Sequence, residues 1–234
     1  MRAFQTTRRL WRWAKRRDAF CFEDVDLPQV VLGSDYGSHC VYSGSLGPGS
    51  IVYSFGVGED ASFDVALIET FGAQVHAFDP TPRSIEWVKA QTLPPSFHFL
   101  PVGIAEFDGE GEFHPPTNPA HVSHSLLPRA SATGAPVKVE FRTLKTLMND
   151  LGHARIDLLK LDIEGSEYAV LDQLLDQAIA VDQILVEYHH QFKNVPPSRT
   201  RASVQRLRKA GYRVFYISAT GREFSLVHER SLPT

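Results

Sequence analysis

The stretch SIVYSFGVGED, residues 50–60, sets an apolar run directly before two glycines and two acidic side chains. The run Ser50–Phe55 predicts a buried strand. Gly56 and Gly58 allow a sharp turn and a close approach of the backbone to a ligand, and Asp60 is suited to cap a following helix. No third glycine completes a GxGxxG motif, so a plain strand–turn–helix corner is the alternative interpretation of this stretch.

Outward from this turn, strands and helices alternate along most of the chain. The last two predicted strands are separated by about four residues around Thr220-Gly221, too few for a helix, so they must pair antiparallel. This α/β pattern is typical of the Rossmann-like class I methyltransferase sheet, mostly parallel with a C-terminal antiparallel hairpin strand, whereas an NAD-binding Rossmann sheet is entirely parallel. The predicted strands beyond the turn are Ala73–Phe78, Phe97–Val102, Val137–Phe141, Ile156–Leu161, Gln183–Glu187, Tyr212–Ile217 and Glu223–Val227.

The length and composition of the chain suit one globular domain. It has 234 residues, of which 43% are hydrophobic, enough for a sizeable core. No apolar run approaches the roughly 20 residues that span a bilayer. The two cysteines give neither a disulfide framework nor a zinc-binding CxxC pair. We expect a cytoplasmic protein.

Positive charge is concentrated at the amino terminus. Residues 1–17 carry seven basic side chains and no acidic one, which leaves the rest of the chain acidic. We predict a basic arm over residues 1–25 and a methyltransferase-type domain over residues 26–234. The arm is expected to fold back on the domain as a solvated helix. Contact with a membrane surface or a partner protein, or a targeting role, are the alternatives.

Asp79 ends the second strand of the predicted sheet, 21 residues after Gly58. A carboxylate at this place accepts both hydroxyls of an adenosine ribose, a group that NAD and S-adenosylmethionine share. The alternative role for Asp79 is to cap the helix that begins near Thr81 and Pro82, although Thr81 is itself a suitable cap.

The segment KLDIEGSE, residues 160–167, places four charged side chains directly after a buried apolar run. Burying such groups is costly unless they are paired or functional. Strand alternation predicts that Lys160, Asp162 and Glu164 lie on one side. A structural ion pair between Lys160 and one of the two carboxylates is the alternative to a functional site.

The motif LLKLDIEGSEYAVL, residues 158–171, resembles the K-x-D-x-E-G-x-E signature of FkbM-type methyltransferases. The resemblance extends over roughly residues 51–227, through segments that are similar to other parts of the family pattern. It implies S-adenosyl-L-methionine as the cofactor and a hydroxyl oxygen, often on a sugar or polyketide, as the acceptor. We therefore expect a small-molecule acceptor and no nucleic-acid partner. The further similar segments are Phe78-Asp79-Pro80, Val122–Leu126, Phe141–Leu144 and Val186–His189.

One position departs from the family pattern. Many members have Asp where this chain has Ser54, so the resemblance implies that a neighbouring carboxylate, Glu59, Asp60 or Asp64, contacts the amino-acid part of the cofactor. The residues predicted to bind the cofactor are Ser54, Phe55, Gly56, Val57, Gly58, Asp60, Asp79, Pro80, Ile104 and Asp162.

Methyl transfer to a hydroxyl needs a base within hydrogen-bond reach. We favour Asp162 or Glu164 for this role, with His189 as the alternative base. We expect no metal ion, because no ligand spacing demands one, although Asp162, Glu187 and His189 are a possible set of ligands.

A long proline-containing connection, residues 115–136, is predicted to form a lid over the acceptor, and it carries His121 and His124. Two other functions compete with methyl transfer. One is NAD(P)-dependent oxidoreduction on a Rossmann fold, and the other is a decayed, non-catalytic methyltransferase that serves as a binding module.

Overall fold

The computed structural model describes residues 18–115, 124–126, 134–192 and 195–233. Within these ranges the chain forms twelve strands and five α-helices. The helices are α1 (Ser62–Phe71), α2 (Pro82–Lys89), α3 (Leu144–Leu151), α4 (Glu167–Asp176) and α5 (Pro197–Lys209). The strands are β1 (Gln29–Leu32), β2 (His39–Tyr42), β3 (Ile51–Phe55), β4 (Gln74–Phe78), β5 (Phe97–Leu100), β6 (Gly103–Ile104), β7 (Gly109–Phe113), β8 (Val137–Arg142), β9 (Ile156–Leu161), β10 (Val181–Glu187), β11 (Tyr212–Ile217) and β12 (Glu223–His228).

Seven strands form the central sheet, in the order β11-β12-β10-β9-β3-β4-β5. The five strands from β10 to β5 pair parallel with one another, and β12 pairs antiparallel with both β10 and β11. The predicted fold class, a Rossmann-like methyltransferase sheet with a C-terminal antiparallel hairpin strand, is confirmed. A two-stranded hairpin precedes this sheet, in which β1 and β2 pair antiparallel.

The middle of the sheet is buried on both faces. Every residue of β9 is buried, as expected for a central parallel strand covered by helices on both sides. On one face α4 packs through Val170, Leu171 and Leu174, and on the other α1 packs through Phe63 and Leu67. Each such side chain stabilises the fold by roughly 1.5–3 kcal/mol through burial, so the carboxyl ends of β3, β4 and β9 are held in a fixed arrangement.

A second, three-stranded sheet with the order β6-β8-β7 was only partly predicted. The strand expected at Val137–Phe141 is present as β8, whereas β6 and β7 were missed. The sequence of β7, GEGEF, is polar and glycine-rich, so its strand propensity is low. It forms a strand by pairing antiparallel with β8, and its Gly111 lies so close to the ring of Phe141 that a Cβ there would come within 2.9 Å of it.

The described end of the predicted arm, residues 18–25, contacts the domain. Asp18, Ala19 and Cys21 are buried, and the guanidinium of Arg201 donates to the carbonyl of Ala19 at 3.0 Å. These contacts agree with an arm that folds back on the domain, and the division at residue 25 stays a prediction. The seven basic residues of the arm, and most of the lid predicted over 115–136, lie outside the described residues. No helix in the described ranges is long and apolar enough to cross a bilayer.

Candidate active site

A cavity of about 400 Å³ opens at the carboxyl ends of the parallel strands. Its volume falls within the range that is usual for small-molecule sites, and its place at the strand ends is where open α/β sheets bind ligands. Eight of the ten residues predicted to bind the cofactor line it: Phe55, Gly56, Val57, Gly58, Asp79, Pro80, Ile104 and Asp162.

The glycine turn after β3 forms one wall of the cavity. Gly56 has φ of +86°, and a Cβ at this position would overlap the carbonyl oxygen of Asp162. Only glycine fits here, because the turn passes directly against the end of β9. The ammonium of Lys160 donates to the carbonyl of Gly56 at 2.8 Å and to that of Phe55 at 3.4 Å. Lys160 thus holds the glycine turn against β9. The alternative interpretation of the sequence was an ion pair of Lys160 with Asp162 or Glu164, and the ammonium binds these two backbone carbonyls instead.

Asp79 joins the glycine turn to the start of α2. Its carboxylate is 5% exposed. One oxygen accepts from the backbone N–H of Gly58 at 2.8 Å, and the other accepts from that of Thr81 at 2.8 Å. Thr81 occupies the N-cap position of α2, and its side chain makes no capping hydrogen bond, so Asp79 anchors the start of the helix through the backbone N–H of Thr81. The carboxylate is therefore fixed at the cavity wall.

Ser84 is a cavity residue that the sequence did not single out. Its hydroxyl is fully buried and has no hydrogen-bond partner among the described residues. Ser84 lies on α2 and lines the same cavity as Asp79. A buried hydroxyl without a partner is unusual in a native structure, and this residue contributes to the cavity wall. Serine is common in helices, so the sequence alone did not point to Ser84.

Ser54 and Asp60, also predicted to bind the cofactor, are not brought into the cavity. Ser54 lies inside β3 and is fully buried. Asp60 turns toward the β1–β2 hairpin, where it accepts from the hydroxyl of Ser34 at 2.5 Å and from the backbone N–H of Ser62 at 2.8 Å. Burial raises the pKa of Asp60, but these hydrogen bonds outweigh that effect and lower it. Asp60 thus precedes α1 and holds its first turn against the hairpin.

Three carboxylates, Glu59, Asp60 and Asp64, were the candidates for contact with the amino-acid part of the cofactor, and of these only Glu59 lines the cavity. It forms a two-point salt bridge with Arg83, with distances of 2.9 and 2.7 Å. Asp64 is buried behind β3, and burial raises its pKa.

The predicted catalytic residues meet at the end of β9. Asp162 and Glu164 line the cavity, and His189 follows β10, the neighbouring strand. The Nε2 atom of His189 lies 3.8 Å from Asp162 Oδ1 and 3.6 Å from Glu164 Oε2. Glu164 has φ of +52°, a conformation that is costly for a residue with a Cβ and that tends to occur at functional sites.

His189 is held in place by Glu167, the first residue of α4. Glu167 is fully buried, and its Oε1 atom lies 2.6 Å from His189 Nδ1. Burial lowers the pKa of His189, but the carboxylates of Glu167, Glu164 and Asp162 outweigh that effect and raise it to about 10. The sequence analysis did not foresee the contact of Glu167 with His189.

Glu187 lies beside this group, at the end of β10. Burial and the nearby charge of Asp162 raise its pKa to about 7. Its carboxylate is 3.4 Å from the guanidinium of Arg222, so it faces the β11–β12 connection. The three side chains that converge are therefore Asp162, Glu164 and His189, and Glu187 is not one of them.

Residues 124–126, the described middle of the predicted lid, lie against the cavity. Ser125 forms a β-bridge with His114, and its hydroxyl donates to the carbonyl of Glu164 at 2.8 Å. His124 stacks on Phe113 with ring centroids 5.5 Å apart. His124 and Phe113 line the cavity together with Leu126, so this segment forms part of the cavity wall.

Several known proteins are similar to this chain. It is 27% identical over 158 residues to "Probable methyltransferase-like protein 24" of Homo sapiens, a match that covers 66% of this chain and 37% of that protein. It is 37% identical over 78 residues to "AMB antimetabolite synthetase AmbE" of Pseudomonas aeruginosa, covering 33% of this chain and 4% of that protein. The chain thus spans little more than a third of the length of the first of these relatives.

Two fibrillarin structures are also similar. That of the Methanococcus jannaschii fibrillarin pre-rRNA processing protein has a TM-score of 0.49 at 11% identity, covering 81% of this chain and 70% of that one. That of Aeropyrum pernix fibrillarin with natively bound S-adenosyl-L-methionine has a TM-score of 0.42 at 9% identity, covering 85% and 81%.

The family model described as Methyltransferase FkbM domain matches residues 51–214. The match contains the glycine turn, Asp79 and the charged end of β9, and it confirms the resemblance that the LLKLDIEGSEYAVL motif predicted. Because it covers more than half of the chain, the protein belongs to the FkbM methyltransferase family.

Proposed function

We propose that this methyltransferase uses S-adenosyl-L-methionine to methylate a hydroxyl oxygen of a sugar or another small natural-product-like acceptor. The observation that carries the proposal is that residues suited to the cofactor and residues suited to the acceptor line the same cavity. Asp79 and the glycine turn are suited to a nucleoside, and the cluster of Asp162 and Glu164 beside them is suited to a hydroxyl. The acidic balance of residues 18–234, with 17 basic and 27 acidic side chains, favours a small-molecule acceptor over nucleic acid.

The residues around the glycine turn fit the proposed cofactor. The Asp79 carboxylate is oriented by two backbone N–H groups and has lone pairs left for the ribose hydroxyls. Phe55, Phe78 and Ile104 provide apolar walls. When bound, the cofactor supplies a methyl group on a positively charged sulfur.

The end of β9 is suited to the acceptor. The carboxylates of Asp162 and Glu164 face the cavity and can accept the proton of a hydroxyl, because an ionised carboxylate offers only acceptors. The acceptor oxygen then bonds to the methyl carbon as the carbon–sulfur bond breaks, and the electron pair of that bond stays on sulfur. We assign the base to Asp162 or Glu164. Because Glu167 already occupies Nδ1 of His189, only its Nε2 atom is available to the acceptor.

Calorimetric titration tests the cofactor assignment. We expect S-adenosylmethionine and its demethylated product to bind and NAD to bind far more weakly. Preferential binding of NAD would contradict the proposal. Tight binding of the cofactor without methylation of any acceptor would favour a non-catalytic binding module.

The variants Asp162→Asn and Glu164→Gln test the catalytic assignment. Each is nearly isosteric, and the Asp162 and Glu164 side chains are 33% and 18% exposed, so the fold should persist. At least one variant should lower turnover by about 10²-fold or more, the size of a general-base contribution. Melting temperature and turnover are measured on the same samples. Early melting with unchanged turnover per folded molecule would show that these carboxylates are structural.

A further inference from the structure

Three potential ligand atoms converge at the end of β9. One atom each of Asp162, Glu164 and His189 lies within 4.8 Å of the others. The separations of 3.8 and 3.6 Å from His189 Nε2 to the two carboxylates are too long for N–H···O hydrogen bonds, which are usually about 2.9 Å. Two ligands at about 2.0–2.2 Å from a shared cation lie roughly 3–4.4 Å apart. The observed spacing therefore matches joint binding of a cation better than direct hydrogen bonding.

The orientation of His189 is independent support for a cation. Its side chain is 4% exposed, and Nδ1 is held by Glu167 at 2.6 Å. Nε2 makes no hydrogen bond within the described parts of the chain and is aimed between the two carboxylates. Metal-binding histidines characteristically have a carboxylate on the second ring nitrogen, which fixes the ring and raises its basicity. A buried imidazole whose outer nitrogen is directed at two carboxylates is such an arrangement, and a cation that binds there displaces the proton from that nitrogen.

We propose that Asp162, Glu164 and His189 bind a divalent cation, with Glu167 as the residue that positions His189. Two carboxylates and one imidazole suit Mn²⁺ among the common divalent ions. The proposal departs from the expectation that no metal is bound, and it replaces Glu187 of the set considered from the sequence by Glu164. The ligands lie on the cavity wall, so coordination positions not filled by protein face the acceptor space.

The role of this cation rests on the proposed function. A hydroxyl bound to a divalent ion loses its proton more readily, because the cation stabilises the oxyanion. Each carboxylate offers one oxygen to the cation and retains the other to accept the hydroxyl proton. The cation thus helps to bind the acceptor and lowers the pKa of the acceptor hydroxyl, while Asp162 or Glu164 remains the base.

Titration of the full chain with Mn²⁺, followed by electron paramagnetic resonance of the free ion, tests the site. We expect saturable binding of one ion per chain near neutral pH. Asp162→Asn should weaken this binding by at least about 10–100-fold, since loss of second-shell partners alone has that effect. Glu167→Gln, which keeps all three ligands, should weaken it within the same range. Failure of the wild-type chain to bind Mn²⁺ at millimolar concentration would overturn the proposal and would leave a protonated His189 between the carboxylates.

Glu187→Gln is the matched control, because it removes a neighbouring carboxylate but no ligand atom. It should weaken Mn²⁺ binding far less than Asp162→Asn does, and equal losses would show non-specific attraction to acidic charge.

Calorimetry with S-adenosylmethionine on the same samples separates the cation-site proposal from the proposed function. Cofactor binding without Mn²⁺ binding overturns only the cation site. Mn²⁺ binding without cofactor binding overturns the proposed function and leaves the cation site in place.

Discussion

Replacing Asp79 by Asn should weaken cofactor binding and destabilise the fold at the same time. The carboxylate of Asp79 is 5% exposed and accepts backbone N–H groups of Gly58 and Thr81 at 2.8 Å each. An Asn side chain has one acceptor oxygen and one donor NH₂ group, so one of these N–H groups would face a donor. Loss of a hydrogen bond to a charged group costs about 1.5–3 kcal/mol, and we expect the free energy of unfolding to fall by this amount.

The effect on binding has a separate origin. In the proposed complex the ribose hydroxyls donate to Asp79, and the loss of charge on the acceptor should cost about 1–3 kcal/mol of binding free energy. This corresponds to a roughly 5- to 150-fold increase in the dissociation constant of S-adenosylmethionine. Calorimetric titration measures the affinity, and thermal unfolding of the same samples measures stability.

Glu86→Gln provides the control for Asp79→Asn. Glu86 lies on the exposed face of α2, the helix that follows Asp79, and its replacement removes the same charge without touching the cavity. This variant should leave both affinity and stability near wild type. If Asp79→Asn binds the cofactor as tightly as the wild type while its stability falls, Asp79 is a structural cap and the ribose assignment is wrong.

Three further predictions follow from the geometry. Gly56→Ala should abolish cofactor binding and lower the melting temperature, because its Cβ would overlap the Asp162 carbonyl; normal binding would contradict the close approach. Ser125→Ala should reduce stability to urea by about 0.5–1.5 kcal/mol, since its hydroxyl donates to the Glu164 carbonyl; an unchanged unfolding midpoint would contradict this. Burial and neighbouring histidines lower the pKa of His76 to about 4. Because the unfolded chain binds that proton near pH 6.5, stability should fall between pH 6.5 and 4, and His76→Gln should reduce the fall; an identical pH profile would refute this cause.

The fold was largely predictable because its strongest signals are local. The apolar run of β9 is buried along its whole length, and the short connection between β11 and β12 permits only antiparallel pairing. Strand β7 was missed for the opposite reason. Its GEGEF sequence has little strand propensity, and only the pairing with β8 defines it as a strand.

The candidate site was predictable where side chains follow strand ends in order. The carboxyl ends of parallel strands meet at one edge of the sheet, which brings Asp162 and His189 close together. Contacts across elements were not predictable. The rotation of Asp60 toward Ser34 depends on the packing of the β1–β2 hairpin, and the hydrogen bond between Glu167 and His189 depends on how α4 meets β10.

The most direct test of the central claim is mass spectrometry of acceptors after incubation with S-adenosylmethionine that carries an isotopically labelled methyl group. Small-molecule extracts are incubated with the wild-type chain and with Asp162→Asn in parallel. We predict that the wild type transfers the labelled methyl to an oxygen of a small molecule and that the variant does so about 10²-fold more slowly or not at all. Equal labelling by both proteins, or no labelling by a wild type that binds the cofactor, would contradict the account.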